Sequence, residues 1–171
     1  PALPGKKDFQ KQIVVCESGK FKSVNRSDFD IAVDSRTVKP GTFFMEKLCS
    51  GAYLGPQSLE VLKAAAAEGL LGEKCAARIA KLESMTLIEA DAFLHAPYNT
   101  SSVLGAIAAE TASEDDYDTV YQLLDAVMER SARYASAILT ACVIQSGEGT
   151  NASKPVCILC NGSTYYKTHA I

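Results

Sequence analysis

The stretch Lys39-Pro-Gly-Thr-Phe-Phe-Met-Glu-Lys-Leu-Cys-Ser-Gly-Ala-Tyr-Leu-Gly55 decides how this chain is read. Pro40 and Gly41 break whatever precedes them, and Phe43, Phe44, Leu48 and Cys49 then recur at helical spacing. The stripe stutters at Gly51 and Gly55. From Pro56 a second stripe runs on through Leu59, Val61, Leu62, Ala65, Ala66 and Leu70, with Gly69 and Gly72 near its close. Proline is tolerated in a first helical turn and glycine ends helices, so the spacing predicts two helices meeting at a glycine joint.

Downstream the pattern stays helical. Residues 73–83, 86–96 and 101–111 read as three segments, with a turn at Pro97, Tyr98 and Asn99. Ser113 and Asp116 have capping-box spacing, and the acids Glu114, Asp115 and Asp116 suit the positive end of a helix dipole. Val120, Leu123, Leu124, Val127, Ser131, Tyr134, Ala135, Ile138 and Cys142 then keep one face, which predicts a long helix over 113–146. Upstream, Ser27 caps a short helix through Val33, preceded by an apolar strand over 12–17 and a second short strand around Phe21 and Val24. Beyond Gly147 and Gly149, residues 156–160 read as a buried-type strand that turns at Asn161-Gly162-Ser163 into another strand over 165–167. The expectation is one helix-rich α/β unit.

The 171 residues suffice for one domain, and 47% hydrophobic with 22% charged side chains is ordinary globular composition. Seventeen basic against 20 acidic side chains, a net charge of -3, argues against a nucleic-acid partner. The longest apolar run, 137–144, is far short of a membrane span, and the first dozen residues do not form a signal peptide. A chain that opens on Pro1 reads as processed or cut from a longer protein. Six cysteines, at 16, 49, 75, 142, 157 and 160, sit in apolar or helical contexts, which suggests reduced thiols and a cytoplasmic location. His95 and His169 fit no paired-ligand pattern, and Cys157 and Cys160 have CxxC spacing inside an expected strand, where they serve packing. Walker A, GxGxxG and GxSxG patterns are absent.

Three landmarks carry a family resemblance. The 39–55 stretch resembles the "PG…EKLISGxYLGE" segment of eukaryotic-type hexokinases. Val15-Cys-Glu-Ser-Gly-Lys-Phe21 resembles that family's "NxEWGxF" strand, followed by a "DxFD" helix start at Asp28 to Asp30. Val156-Cys-Ile-Leu-Cys-Asn-Gly-Ser-Thr-Tyr-Tyr-Lys167 resembles its "VDGSxYK" strand and turn. The resemblance implies that residues 1–171 are a single partial domain from a ribonuclease H-like, actin-like ATPase large domain. The small domain, its catalytic aspartate and the C-terminal adenosine segment would lie outside them. It further implies a parent that phosphorylates a hexose such as glucose at the 6-hydroxyl with ATP and Mg²⁺, and a 171-residue piece that is inactive alone. Glu17 and Glu46 would bind sugar; Gly51, Ala52, Gly162 and Ser163 would lie by the nucleotide; no residue would be a metal ligand. The chemistry agrees, since carboxylates accept strong hydrogen bonds from hydroxyls and glycines let backbone N–H groups approach phosphate.

The chain departs from the family pattern at Ser18 (usually aromatic), Pro56 (usually an acid), Asn161 (usually aspartate) and in the extra residue of Tyr165-Tyr166. These departures support a first alternative, a sugar-binding or sensor protein that has lost phosphotransfer. A second is a helical interaction module presenting Tyr117 and Tyr121 to a partner. An exposed strand edge would also invite pairing with a second copy, so a homodimer is expected.

Overall fold

Ser27 opens the helical part of the chain as its composition demands. Its hydroxyl accepts from the Asp30 N–H while the Asp30 carboxylate accepts from the Ser27 N–H, at 3.3 and 2.7 Å, and helix α1 runs from there over Asp28–Ser35. The computed structural model describes residues 13–169. After α1 come α2 (Phe44–Cys49), α3 (Gly51–Ala67), α4 (Glu73–Ala80), α5 (Leu87–His95), α6 (Val103–Thr111), α7 (Glu114–Ser146) and α8 (Ser163–Lys167).

The joint between the two central helices sits at Ser50, not at Gly55. Ser50 is extended and caps α3, whose first turn begins at Gly51 and which carries Pro56 in its interior. Proline there withdraws the N–H that would have bonded the Ala52 carbonyl. Gly55 explains why the helix is placed as it is. A Cβ at this position would lie 2.3 Å from the Thr86 carbonyl carbon and 2.5 Å from the Leu87 nitrogen. Helix α3 crosses the start of α5 at backbone distance, which only glycine permits.

Around that crossing lies the core. Leu54, Leu62, Phe93, Leu104, Leu124 and Met128 are fully buried, drawn from α3, α5, α6 and α7. Helix α7 starts with the expected capping box, Ser113 with Asp116, and Asp116 also accepts the Gly72 N–H at 2.7 Å, which ties α7 to the start of α4. Its apolar face is buried from Tyr117 to Ser131 and then emerges: Leu139 is 40% exposed and Ile144 73%.

The strands expected from the sequence are not formed among the described residues, so the α/β reading is corrected to an all-helical body with irregular ends. Gln12, where the first strand was expected to start, lies outside the described residues. Residues 13–17 and 156–160 have no regular structure, Ser18–Lys20 forms a single 3-10 turn, and 163–167 is helix α8. A strand obtains its backbone hydrogen bonds from a neighbour, and none of the described residues supplies one. The same absence removes the strand edge through which dimerisation was expected. The cysteines also divide differently: Cys75 is buried and Cys49 half-buried, but Cys16, Cys142 and Cys157 are exposed. No described helix is long and apolar enough to cross a membrane.

Candidate functional site

Helix α2 is held by charge. The Lys47 ammonium is buried and donates to Asp34, to Thr37 Oγ1 at 2.9 Å and to the Lys39 carbonyl at 2.7 Å. Asp34 also accepts from Arg26 and from the Gly41 N–H, each at 3.0 Å. Burial alone would raise the Asp34 pKa, but Lys47, the Gly41 N–H and Arg26 together hold it below the ordinary aspartate value. Gln57 of α3 donates to the Lys47 carbonyl at 2.7 Å and accepts from Arg130 of α7. Arg130 in turn grips both carboxylate oxygens of Asp30, at 2.9 and 3.0 Å. This network joins α1, α2, α3 and α7.

Its consequence is the placement of Glu46. Lys47 and Glu46 are neighbours in sequence, yet Lys47 turns inward to Asp34, and Glu46 points outward with no ion pair among the described residues. A surface pair between Glu46 and Lys47 or Lys39 is thereby excluded. The turn after Glu17 rests on Glu46: a Cβ on Gly19 would lie 3.1 Å from Glu46 Cβ and 3.4 Å from its Oε2. The two candidate sugar carboxylates therefore stand on adjoining elements. Glu17 itself bonds Lys20 at 3.0 Å.

Both elements carry strained backbone. Glu17 has φ of 50° and Phe43, just before α2, has φ of 54°; among the described residues these are the non-glycine positions in the left-handed region. Such strain costs about 1–3 kcal/mol per residue and persists where neighbours enforce it. Between them opens a hollow of about 230 Å³ lined by Ser18, Gly19, Met45, Glu46, Cys49, Ser50 and Ile138.

Ser50 connects this hollow to the second set of candidates. Its hydroxyl accepts the Ala52 N–H at 3.4 Å, at the start of α3. A Cβ on Gly51 would lie 2.8 Å from Thr164 Oγ1 and 3.0 Å from Leu87 Cδ2, so the glycine makes room for the residue that follows Ser163. The 51 and 162–163 regions, more than a hundred positions apart, thus meet. Ala52 does not join them; it lines a separate hollow of about 410 Å³ with Arg36, Tyr53, Pro56, Glu60 and Met85. Gly162 and Ser163 are exposed at the start of α8. Beyond α8, His169 donates its backbone N–H to Asp91 at 2.8 Å, and its ring lies 3.1 Å from Asp125 and edge-on to His95 at 5.8 Å. This anchors the end of α8 to α5 and α7.

No group of three potential metal ligands occurs among the described residues. Tyr117, expected at the surface, is buried and stacked between Phe93 and Tyr98, with ring centroids at 6.1 and 4.7 Å. Tyr117 is thus not open to a partner, while Tyr121 is half-buried. Sequence reasoning missed Ser50 and Thr164. Ser50 carried a signal, a capping residue directly before Gly51; Thr164 carried none beyond its place after Ser163.

The sequence model of the family described as Hexokinase matches residues 1–171. The chain belongs to the hexokinase family. It is similar to "Hexokinase-2" of Solanum tuberosum, 27% identical over 148 residues that cover 82% of this chain and 30% of that protein. It is also similar to "Hexokinase HKDC1" of Homo sapiens, 30% identical over 148 residues, 84% of this chain and 16% of that protein. The chain thus spans less than a third of either relative.

Proposed function

We propose that this hexokinase-family chain is the sugar- and nucleotide-contacting part of an ATP-dependent hexose kinase, which phosphorylates a hexose such as glucose at its 6-hydroxyl in the cytoplasm. The observation that carries the reading is the adjacency of Glu46 and the Glu17 turn at one hollow, with Gly51 one residue beyond that hollow and packed against Thr164. Glu17 and Glu46 accept hydrogen bonds from sugar hydroxyls and orient the ring, and neither takes the reacting proton. The exposed carboxylate of Glu46, with no ion pair among the described residues, suits that role.

Gly51, Ala52, Gly162 and Ser163 flank the nucleotide, ATP being the second substrate. The close Gly51–Thr164 approach brings the start of α3 beside the 162–163 turn, and glycine at 51 and 162 leaves the backbone N–H groups there uncovered by a side chain. Mg²⁺ would arrive on the phosphates of ATP and neutralise their charge. The catalytic base and the small lobe that closes over sugar belong to the remainder of the parent protein, so the 171 residues alone turn over nothing. Residues 13–17 and 156–160 are strands of a ribonuclease H-like large domain once the remaining strands are beside them; their exposed valines, isoleucines and leucine support this. Residues 1–171 are then one partial domain.

Calorimetric titration of the protein with glucose tests the site. Binding is expected in wild type and is expected to weaken by about 10-fold or more in Glu46→Gln, the loss of one charged hydrogen-bond partner. Equal affinity in wild type and variant would remove Glu46 from the site.

A further inference from the structure

Outside the candidate site, two thiols are brought together by the fold. Cys142 of α7 lies with its Sγ 3.9 Å from Cys16 Sγ, although the residues are 126 positions apart. Both are exposed, so an oxidant reaches either. A disulfide needs the sulfurs at about 2.05 Å, a closure of roughly 2 Å. Cys16 lies on irregular backbone in this chain and Cys142 on helix α7. The thiols line the same apolar groove of about 390 Å³, together with Phe21, Met45, Ile138 and Ala141. The remaining cysteines differ. Cys75 is buried, the Cys49 thiol is directed at the Ser131 carbonyl at 3.8 Å, and no other two thiols of the described residues make contact.

We propose that Cys16 and Cys142 form a reversible disulfide site, closed by a hydroperoxide, which clamps the segment carrying Glu17 onto α7. Cys142 donates its S–H to Cys16, and that hydrogen bond holds the Cys142 thiol above its ordinary pKa. Cys16, exposed and accepting that bond, attacks the peroxide. Its thiolate takes the distal peroxide oxygen; the O–O bond breaks, leaving a sulfenic acid on Cys16 and releasing water or an alcohol after protonation. The Cys142 sulfur then attacks the Cys16 sulfur, the S–S bond forms, the S–O bond breaks, and hydroxide leaves with the Cys142 proton as water. Two electrons pass from the thiol pair to the peroxide. A thiol reductant reverses the bond. In a reducing compartment such disulfides are transient and report oxidant.

The test treats the intact purified protein with hydrogen peroxide, traps free thiols, and maps peptides by mass spectrometry without reduction. The expected product is one linked peptide pair containing Cys16 and Cys142, removed by dithiothreitol and missing in Cys16→Ser and Cys142→Ser. These variants retain the fold because both side chains are at the surface. Amide hydrogen exchange across 17–22 is expected to slow in the oxidised form and to return on reduction. Separate sulfinic products at the two positions, pairing with Cys157 or Cys160, or unchanged exchange across 17–22 in the linked protein would each overturn the proposal.

Discussion

The two halves of α7 obey the same sequence pattern and meet different fates. From Glu114 to Ser131 its apolar face is packed: Val120, Leu124, Val127 and Met128 are at most 5% exposed. From residue 132 onward the face continues with Ala135, Ile138, Leu139 and Cys142, yet none of these is buried. Helical periodicity forms the helix in both halves, but burial depends on what stands opposite. Opposite the first half are α2, α3 and α5, tied by Arg130, Gln57 and Asp30. Opposite the second half, among the described residues, stand Cys16, Ser18, Phe21 and Met45 around an open groove and the irregular residues near 156.

The largest effect is expected where the contrast is sharpest. Phe93→Ala, which empties a fully buried site between α5 and α7, should destabilise by about 3–5 kcal/mol in urea unfolding. Asp34→Ala comes next. It leaves the buried Lys47 ammonium without its carboxylate and should cost about 3 kcal/mol, while also loosening α2 and lowering hexose affinity through Glu46. Restoring α2 with Asp34→Ala/Lys47→Met should recover stability, since an apolar pair can replace a buried ion pair.

Acid should separate the regions as well. Asp34 is held below its ordinary pKa by Lys47, Gly41 and Arg26 against the opposing effect of burial. Asp116 is held below by the Gly72 and Ser113 N–H groups and the Ser113 hydroxyl, again against burial. A depressed carboxylate stabilises fully above its unfolded value, here 3.8, and that contribution is lost as pH falls through the lower folded value. Circular dichroism should therefore show helix loss setting in only below about pH 4. The smallest effect belongs to Leu139→Ala, expected within about 0.5 kcal/mol of wild type. A loss of several kcal/mol there would mean that the second half of α7 is packed in solution and would erase the contrast.

Much of this was legible in the residues. The caps at Ser27 and Ser113, the acids at 114–116 and the extent of the long helix follow from local chemistry alone, and the structure has them. The expected strands do not form among the described residues, because VVC and VCILC carry the composition of strands and no described residue stands beside them to pair. Tyr117 was expected at the surface of the long helix, but Phe93 and Tyr98 provide two aromatic faces for it to stack against. Within the candidate site, the motifs singled out Glu17 and Glu46, and the structure sets the two on adjoining elements. The inward turn of Lys47 was not legible, because its partner Asp34 lies 13 positions upstream with nothing in the local pattern to join them.

The most direct measurement is a coupled assay of ADP release by the full-length protein containing this chain, with glucose and Mg-ATP, for wild type and Glu46→Gln. The account predicts glucose-dependent turnover in wild type and a fall in kcat/KM of about 100-fold in the variant, from lost orientation of the sugar. No turnover by the full-length protein, or equal kcat/KM for the two, would contradict it.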